Sequence, residues 1–90
     1  MVTIKSSKPI TELKKGDKIK VDSLTLEVDA HIEMIEHGKG TKEMAIECFD
    51  PKKDKDYQIR YFSDQVETSI EVYELVEIVY NKLDVKKIEW

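Results

Sequence analysis

The sequence predicts an all-β protein, a small barrel of about five to seven antiparallel strands forming one domain over residues 1–90. The strongest observation is a strict alternation: from Leu24 to Met34 every even residue is apolar (Leu24, Leu26, Val28, Ala30, Ile32, Met34), and Thr25, Glu27, Asp29, His31 and Glu33 stand between them. Side chains of a strand point to opposite faces in turn, so this register buries one face and wets the other, as antiparallel sheets and barrels allow. Shorter alternations recur at 18–21, 44–49 and 57–61, separated by Gly, Pro and charged turns. A chain of 90 residues with 40% hydrophobic and 38% charged residues has a core for one folded domain and little room for a second.

Along the chain, Val2–Lys5 forms an opening strand that Ser6-Ser7-Lys8-Pro9 ends. Lys15-Gly16-Asp17 is a turn in which glycine supplies positive φ, and Lys18–Val21 follows with Ile19 and Val21 facing inward. Asp22-Ser23 reads as the tight turn into the long strand, although neither residue is glycine, which leaves a longer or less ideal hairpin as the alternative. His37–Lys42, with Gly38 and Gly40, is the most loop-like segment. Met44–Phe49 and Tyr57–Tyr61 pair as a hairpin across the Asp50–Asp56 turn. Residues 66–80 fit two readings. Ser63 or Asp64 could cap a helix with Glu67 in its first turn, whereas the many β-branched residues and apolar even positions favour strand, which is the expectation adopted. Asn81–Asp84 reads as a turn, and Val85–Trp90 as a last strand closing against the first. The alternation predicts that Leu24, Leu26, Val28, Ile32, Ile46 and Ile59 are buried and that Glu27, Glu33 and Glu47 are exposed.

The net charge of −4 is unevenly distributed. Residues 1–20 hold Lys5, Lys8, Lys14, Lys15, Lys18 and Lys20 against Glu12 and Asp17, while 21–37 and 61–80 contain no Lys or Arg. No run approaches the ~18 apolar residues of a membrane span, and the N-terminus lacks the apolar core of a signal peptide. With the single Cys48, these features point to a reducing, cytoplasmic setting. The excess of Lys and Glu over Asn and Gln matches the bias of proteins from hot-growing organisms.

Leu13-Lys14-Lys15-Gly16-Asp17-Lys18-Ile19-Lys20-Val21-Asp22, the later hairpin Phe49–Tyr57 and the strand from Val66-Glu67 resemble the SH3-like, KOW-type barrel that opens the translation factor 5A and elongation factor P family. The resemblance implies an SH3-like barrel and an association with RNA or the ribosome. It covers about two-thirds of the chain; Ser23 stands where the family prefers Gly, and no counterpart of its second, OB-fold domain is expected. The family's glycine-rich loop carries a modified lysine. Lys39 between Gly38 and Gly40 is its match by position, but the surrounding loop differs and the modification is not carried over. Length and pattern also resemble short archaeal β-barrel proteins of unknown function.

Candidate sites are few. Lys14, Lys15, Lys18, Lys39 and Lys42 would supply phosphate contacts to nucleic acid. Asp29, His31, Glu33 and His37 share one face of the long strand, with same-face neighbours ~7 Å apart. Three or four converging metal ligands would all have to come from one strand, so this face is read as solvated, and no metal or cofactor is expected. Cys48 sits in the apolar register with no His or Lys beside it, which reads as a buried thiol. Tyr57, Tyr61 and Arg60 could stack bases, though the tyrosines' register with Ile59 turns them toward the core. The functional expectation is a non-catalytic binding module whose ligand the residues do not name, with an association with RNA or translation implied by the resemblance, the alternative a protein-interaction or self-assembly module using its acidic strands or a sheet edge.

Overall fold

Among the described residues eight strands form one sheet, ordered β1-β8-β2-β3-β4-β5-β6-β7, that curls into a half-barrel around a hydrophobic core. The structure, a computed structural model, describes residues 2–38 and 40–90, and for Glu36 and His37 the backbone alone. The strands are β1 (Thr3–Lys5), β2 (Lys18–Val21), β3 (Leu24–His37), β4 (Thr41–Asp50), β5 (Lys55–Phe62), β6 (Glu71–Val76), β7 (Val79–Leu83) and β8 (Lys87–Glu89). A 3-10 turn over Ile10–Glu12 precedes β2, and one helical turn, α1 (Val66–Ser69), lies between β5 and β6. The all-β expectation holds, but the five-to-seven-strand SH3-like count does not. The extra strand comes from the split of residues 66–83; β8, within the last strand expected over Val85–Trp90, runs parallel to β1 as well as pairing antiparallel with β2.

The turns explain how so short a chain closes this sheet. Asp22-Ser23 is a tight two-residue turn at the position expected for it, with Asp22 rather than a glycine at φ 51°. An aspartate tolerates that backbone here because its carboxylate accepts the N–H groups of Lys86 (3.2 Å) and Lys87 (2.9 Å), tying the β2–β3 hairpin to β8. The indole of Trp90 donates to the Lys8 carbonyl (2.7 Å), and the Trp90 N–H to that of Lys5 (3.1 Å), so the two ends of the chain hold each other.

The strand favoured for 66–80 begins only at Glu71. Before it, Val66–Ser69 make one turn capped by the backbone at Gln65 rather than by Ser63 or Asp64. The hairpin turn falls at Glu77-Ile78, with Glu77 at φ 58°, and Asn81–Leu83 belong to β7 instead of a turn. Short range cannot decide this, because β-branched residues suit β6 and β7 equally and no Gly or Asn marks the turn.

The alternation in β3 is broken twice, and this decides the functional surface. Val28 faces Cys48 but Ala30 faces Glu47, so Asp29 is an extra residue; a second shift falls between Glu33 and Ile35. One inserted residue exchanges the faces of everything after it. Leu26 and Val28 therefore lie in the core while Ile32 is 42% exposed, the reverse of its predicted burial, and His31 turns inward. Leu24 is half-buried, as are Glu27 and Glu47, which were expected to be exposed; Glu33 is exposed as expected. Ile46, Ile59, Tyr57 and Tyr61 are buried on the inner face.

Candidate functional site

Three features gather the chemistry, and the first and the last follow from the bulge at Asp29. On the inner side, His31 lies beside Tyr61, 1% exposed, whose hydroxyl is 2.7 Å from Nε2; Nδ1 is 2.8 Å from the Leu13 carbonyl. A carbonyl only accepts, so Nδ1 carries the proton and Nε2 accepts from Tyr61. Burial pushes the Tyr61 hydroxyl up to about 12, so it stays a donor at neutral pH. Both ring nitrogens are occupied by protein atoms, and the imidazole fastens the Leu13 segment to the sheet.

The predicted lysines are dispersed. Lys14 and Lys15 are exposed in the turn before Gly16 and line a shallow concavity with Thr11, Leu13 and His31. Gly16 at φ 95° lets its N–H reach the Val28 carbonyl (2.9 Å). Asp17 accepts from Lys8 Nζ (2.9 Å) and the Lys14 N–H (3.0 Å), and these bonds, the Lys8 one first, hold its carboxyl below the usual value. Lys18 is ion-paired with Glu27, and Lys42 lies 3.8 Å from Glu33. Lys39 and the His37 side chain lie outside the described residues.

Asp29 is parted from His31 by the bulge and lines a different concavity, with Glu47, Phe49, Asp56, Leu75 and Tyr80. Among the described residues no group of three or more His, Cys, Asp or Glu side chains is arranged to hold a metal ion. Cys48 is 3% exposed; burial first, then the charges of Glu47 and Asp56, push its thiol up to about 12, and it donates to the Tyr57 carbonyl (3.7 Å).

The outer face of β4–β7 carries a polar and aromatic cluster. Gln58 donates to Glu47 (2.8 Å), Arg60 Nε donates to Gln58, and the Arg60 guanidinium stacks 4.1 Å above the ring centroid of Tyr73 and 5.5 Å from that of Tyr80. The sequence pointed at Arg60 but coupled it to Tyr57 and Tyr61, which face the core. Its real partners, Tyr73 and Tyr80, become visible only once the turn is set at Glu77-Ile78, because that register puts both rings on the outer face.

The third feature is an edge. β2 pairs with β3 only as far as Glu27, and the N–H and C=O of Val28 are met by Asp17 and Gly16. From Asp29 to His37 the backbone pairs with β4 alone among the described residues. Ile32, Met34 and Ile35 lie along this stretch with 40–49% of their surface exposed. Among the described residues no helix is long and apolar enough to cross a membrane. In comparisons with known proteins, no family model, curated protein or solved structure matches the chain.

Proposed function

We propose that this chain is a non-catalytic interaction module that takes an extended segment of a partner protein along the unpaired edge of β3. The observation that carries this reading is the edge itself: nine residues, Asp29–His37, paired on one side only and bearing three exposed large apolar side chains. An open strand edge offers a row of N–H and C=O groups that a second strand can complete, with side-chain alternation giving specificity. The bulges twist this edge and leave Ala30–Glu33 as a regular run, so the added strand is short and the contact belongs to the small, transient class.

Charge selects the occupant. An added strand would set one face beside Ile32 and the other beside the exposed Glu33, whose ion-pair partner Lys42 is 3.8 Å away, while Lys14 and Lys15 stand toward the Ala30 end of the edge. The complementary segment alternates apolar and basic residues, because cross-strand neighbours of opposite charge attract and like charges repel. A second copy of β3 would bring more carboxylates to this edge, which argues against self-pairing. The test is an NMR titration with a synthetic peptide alternating Val and Lys. Shifts and exchange protection in the amides of 30–35, absent with a Val/Glu peptide, are expected; no shifts, or shifts confined to β7, would overturn the reading.

A second reading, nucleic-acid binding, is favoured by Lys14 and Lys15, which are exposed and form no ion pair among the described residues. Against it stands the pairing of Lys18 and Lys42 with acids, which removes two of the five lysines from a common basic face.

A further inference from the structure

Arg60 is the only arginine in the chain, among 15 basic residues of which the rest are lysines. Lysine and arginine answer different needs: a lysine presents a hydrated point charge, an arginine a flat fork that stacks on rings and matches a planar anion with two parallel N–H bonds. Position 60 uses the arginine-specific properties. Ile59 faces the core, so Arg60 projects onto the outer face, where it stacks on Tyr73, approaches Tyr80 and donates from Nε to Gln58. Gln58 is itself 4% exposed and anchored by Glu47, so the support beneath the guanidinium is rigid.

The terminal nitrogens of Arg60 have no carboxylate within 4.0 Å among the described residues. The acids nearby take their hydrogen bonds from other groups, although Glu71, opposite Arg60 in the register, also feels its charge. Glu71 accepts from Tyr73 OH (2.8 Å) and is paired with Lys82 (2.8 Å), bonds that hold its carboxyl below the usual value, the Lys82 bond contributing most. Glu47 accepts from Gln58 (2.8 Å) and Tyr80 OH (3.4 Å). The guanidinium leans over β6 and β7, so its open edge lies beside the Tyr73 and Tyr80 rings. A guanidinium stacked on a ring keeps its in-plane N–H edge open, and holding it there beforehand removes rotamer entropy that binding would otherwise cost.

From this geometry we propose that Arg60 is the anchor of a carboxylate-binding site on the outer face, taking an organic acid whose carboxylate meets the guanidinium fork beside the Tyr73 and Tyr80 rings. The ligand is a small organic acid or the C-terminal carboxylate of a peptide, which share this chemistry. The site is separate from the β3 backbone edge, so the two proposals stand or fall independently.

The probes are hexanoate, hexylamine, inorganic phosphate and a short Val-rich peptide with a free or an amidated C-terminus, followed by NMR at the Arg60 Nε–Hε and Tyr73 ring signals. Hexanoate is expected to shift both, and hexylamine neither. Arg60→Lys, which keeps the charge and the fold, should weaken binding about tenfold by losing the bidentate contact. Tyr73→Leu should weaken it while leaving the arginine in place. If the free-acid peptide binds more tightly than hexanoate and its amide does not bind, the source is a chain terminus; the reverse order assigns a small acid. Equal binding by Arg60→Lys, no shift with hexanoate, or displacement of hexanoate by equimolar phosphate would overturn the proposal.

Discussion

Replacing His31 with alanine tests the central consequence of the bulge, that this histidine is a structural clasp rather than a solvated side chain. In the folded protein its two nitrogens satisfy the Leu13 carbonyl (2.8 Å) and the Tyr61 hydroxyl (2.7 Å), whose residues are 3% and 1% exposed. No buried side-chain polar atom among the described residues lacks a partner. His31→Ala strands both groups at once. A buried polar group left without its partner costs about 1–3 kcal/mol, and water entering beside the half-buried ring recovers part of this for Leu13. The expected loss is therefore about 2–4 kcal/mol, which for a domain of this size lowers Tm by about 10–25 °C. Tyr61→Phe removes a single bond and should cost about 1 kcal/mol, since the freed Nε2 can turn to water. A double-mutant cycle by urea unfolding should then show a coupling of about 1 kcal/mol. If His31→Ala unfolds within about 0.5 kcal/mol of the parent, as surface substitutions do, the inward placement of His31 is wrong and strict alternation holds through β3.

Deleting Asp29 removes the first bulge but leaves Ala30, His31 and Ile32 opposite Glu47, Ile46 and Ala45, so His31 should stay inward and Ile32 exposed, whereas deleting Asp29 and Ala30 together turns Ile32 inward and His31 outward and should cost upward of about 3 kcal/mol; equal stabilities of the two deletions would refute the assignment. Burial raises Cys48 from 9.0 and Tyr61 from 10.0, both to about 12, so their contribution is fully present below pH 9 and is lost as pH rises toward 12. Urea midpoints should fall over that range, and a thiol reagent at neutral pH should modify Cys48 only as fast as the protein opens. Zinc or manganese should leave Tm unchanged, because His31 has no free nitrogen; a rise that His31→Ala abolishes would contradict this. A fluorescence titration with single-stranded RNA at low salt should show no binding, and steeply salt-dependent binding weakened by Lys14→Ala/Lys15→Ala would move the assignment to nucleic acid.

What the sequence determined by itself is the pattern that short-range physics controls. Period-two alternation marks 18–21, 24–28, 44–49 and 57–61 as strands, and the charged Asp50–Asp56 segment marks a hairpin turn, because side-chain direction and turn chemistry are local properties. The inward placement of Tyr57, Ile59 and Tyr61 followed from the same rule. The tertiary structure alone decided where that rule stops. Nothing at Asp29 announces an inserted residue; the shift in the β3–β4 register just beyond the end of the β2 pairing sends His31 to Tyr61 and Ile32 to the surface. The parallel pairing of β1 with β8 joins residues more than 80 apart, and the Arg60 stack needs three strands in register, so both depend on long-range contacts that no local window contains. The candidate sites were hidden for the same reason: each consists of ordinary residues whose chemistry comes from which neighbours the sheet gives them and which it leaves unpaired.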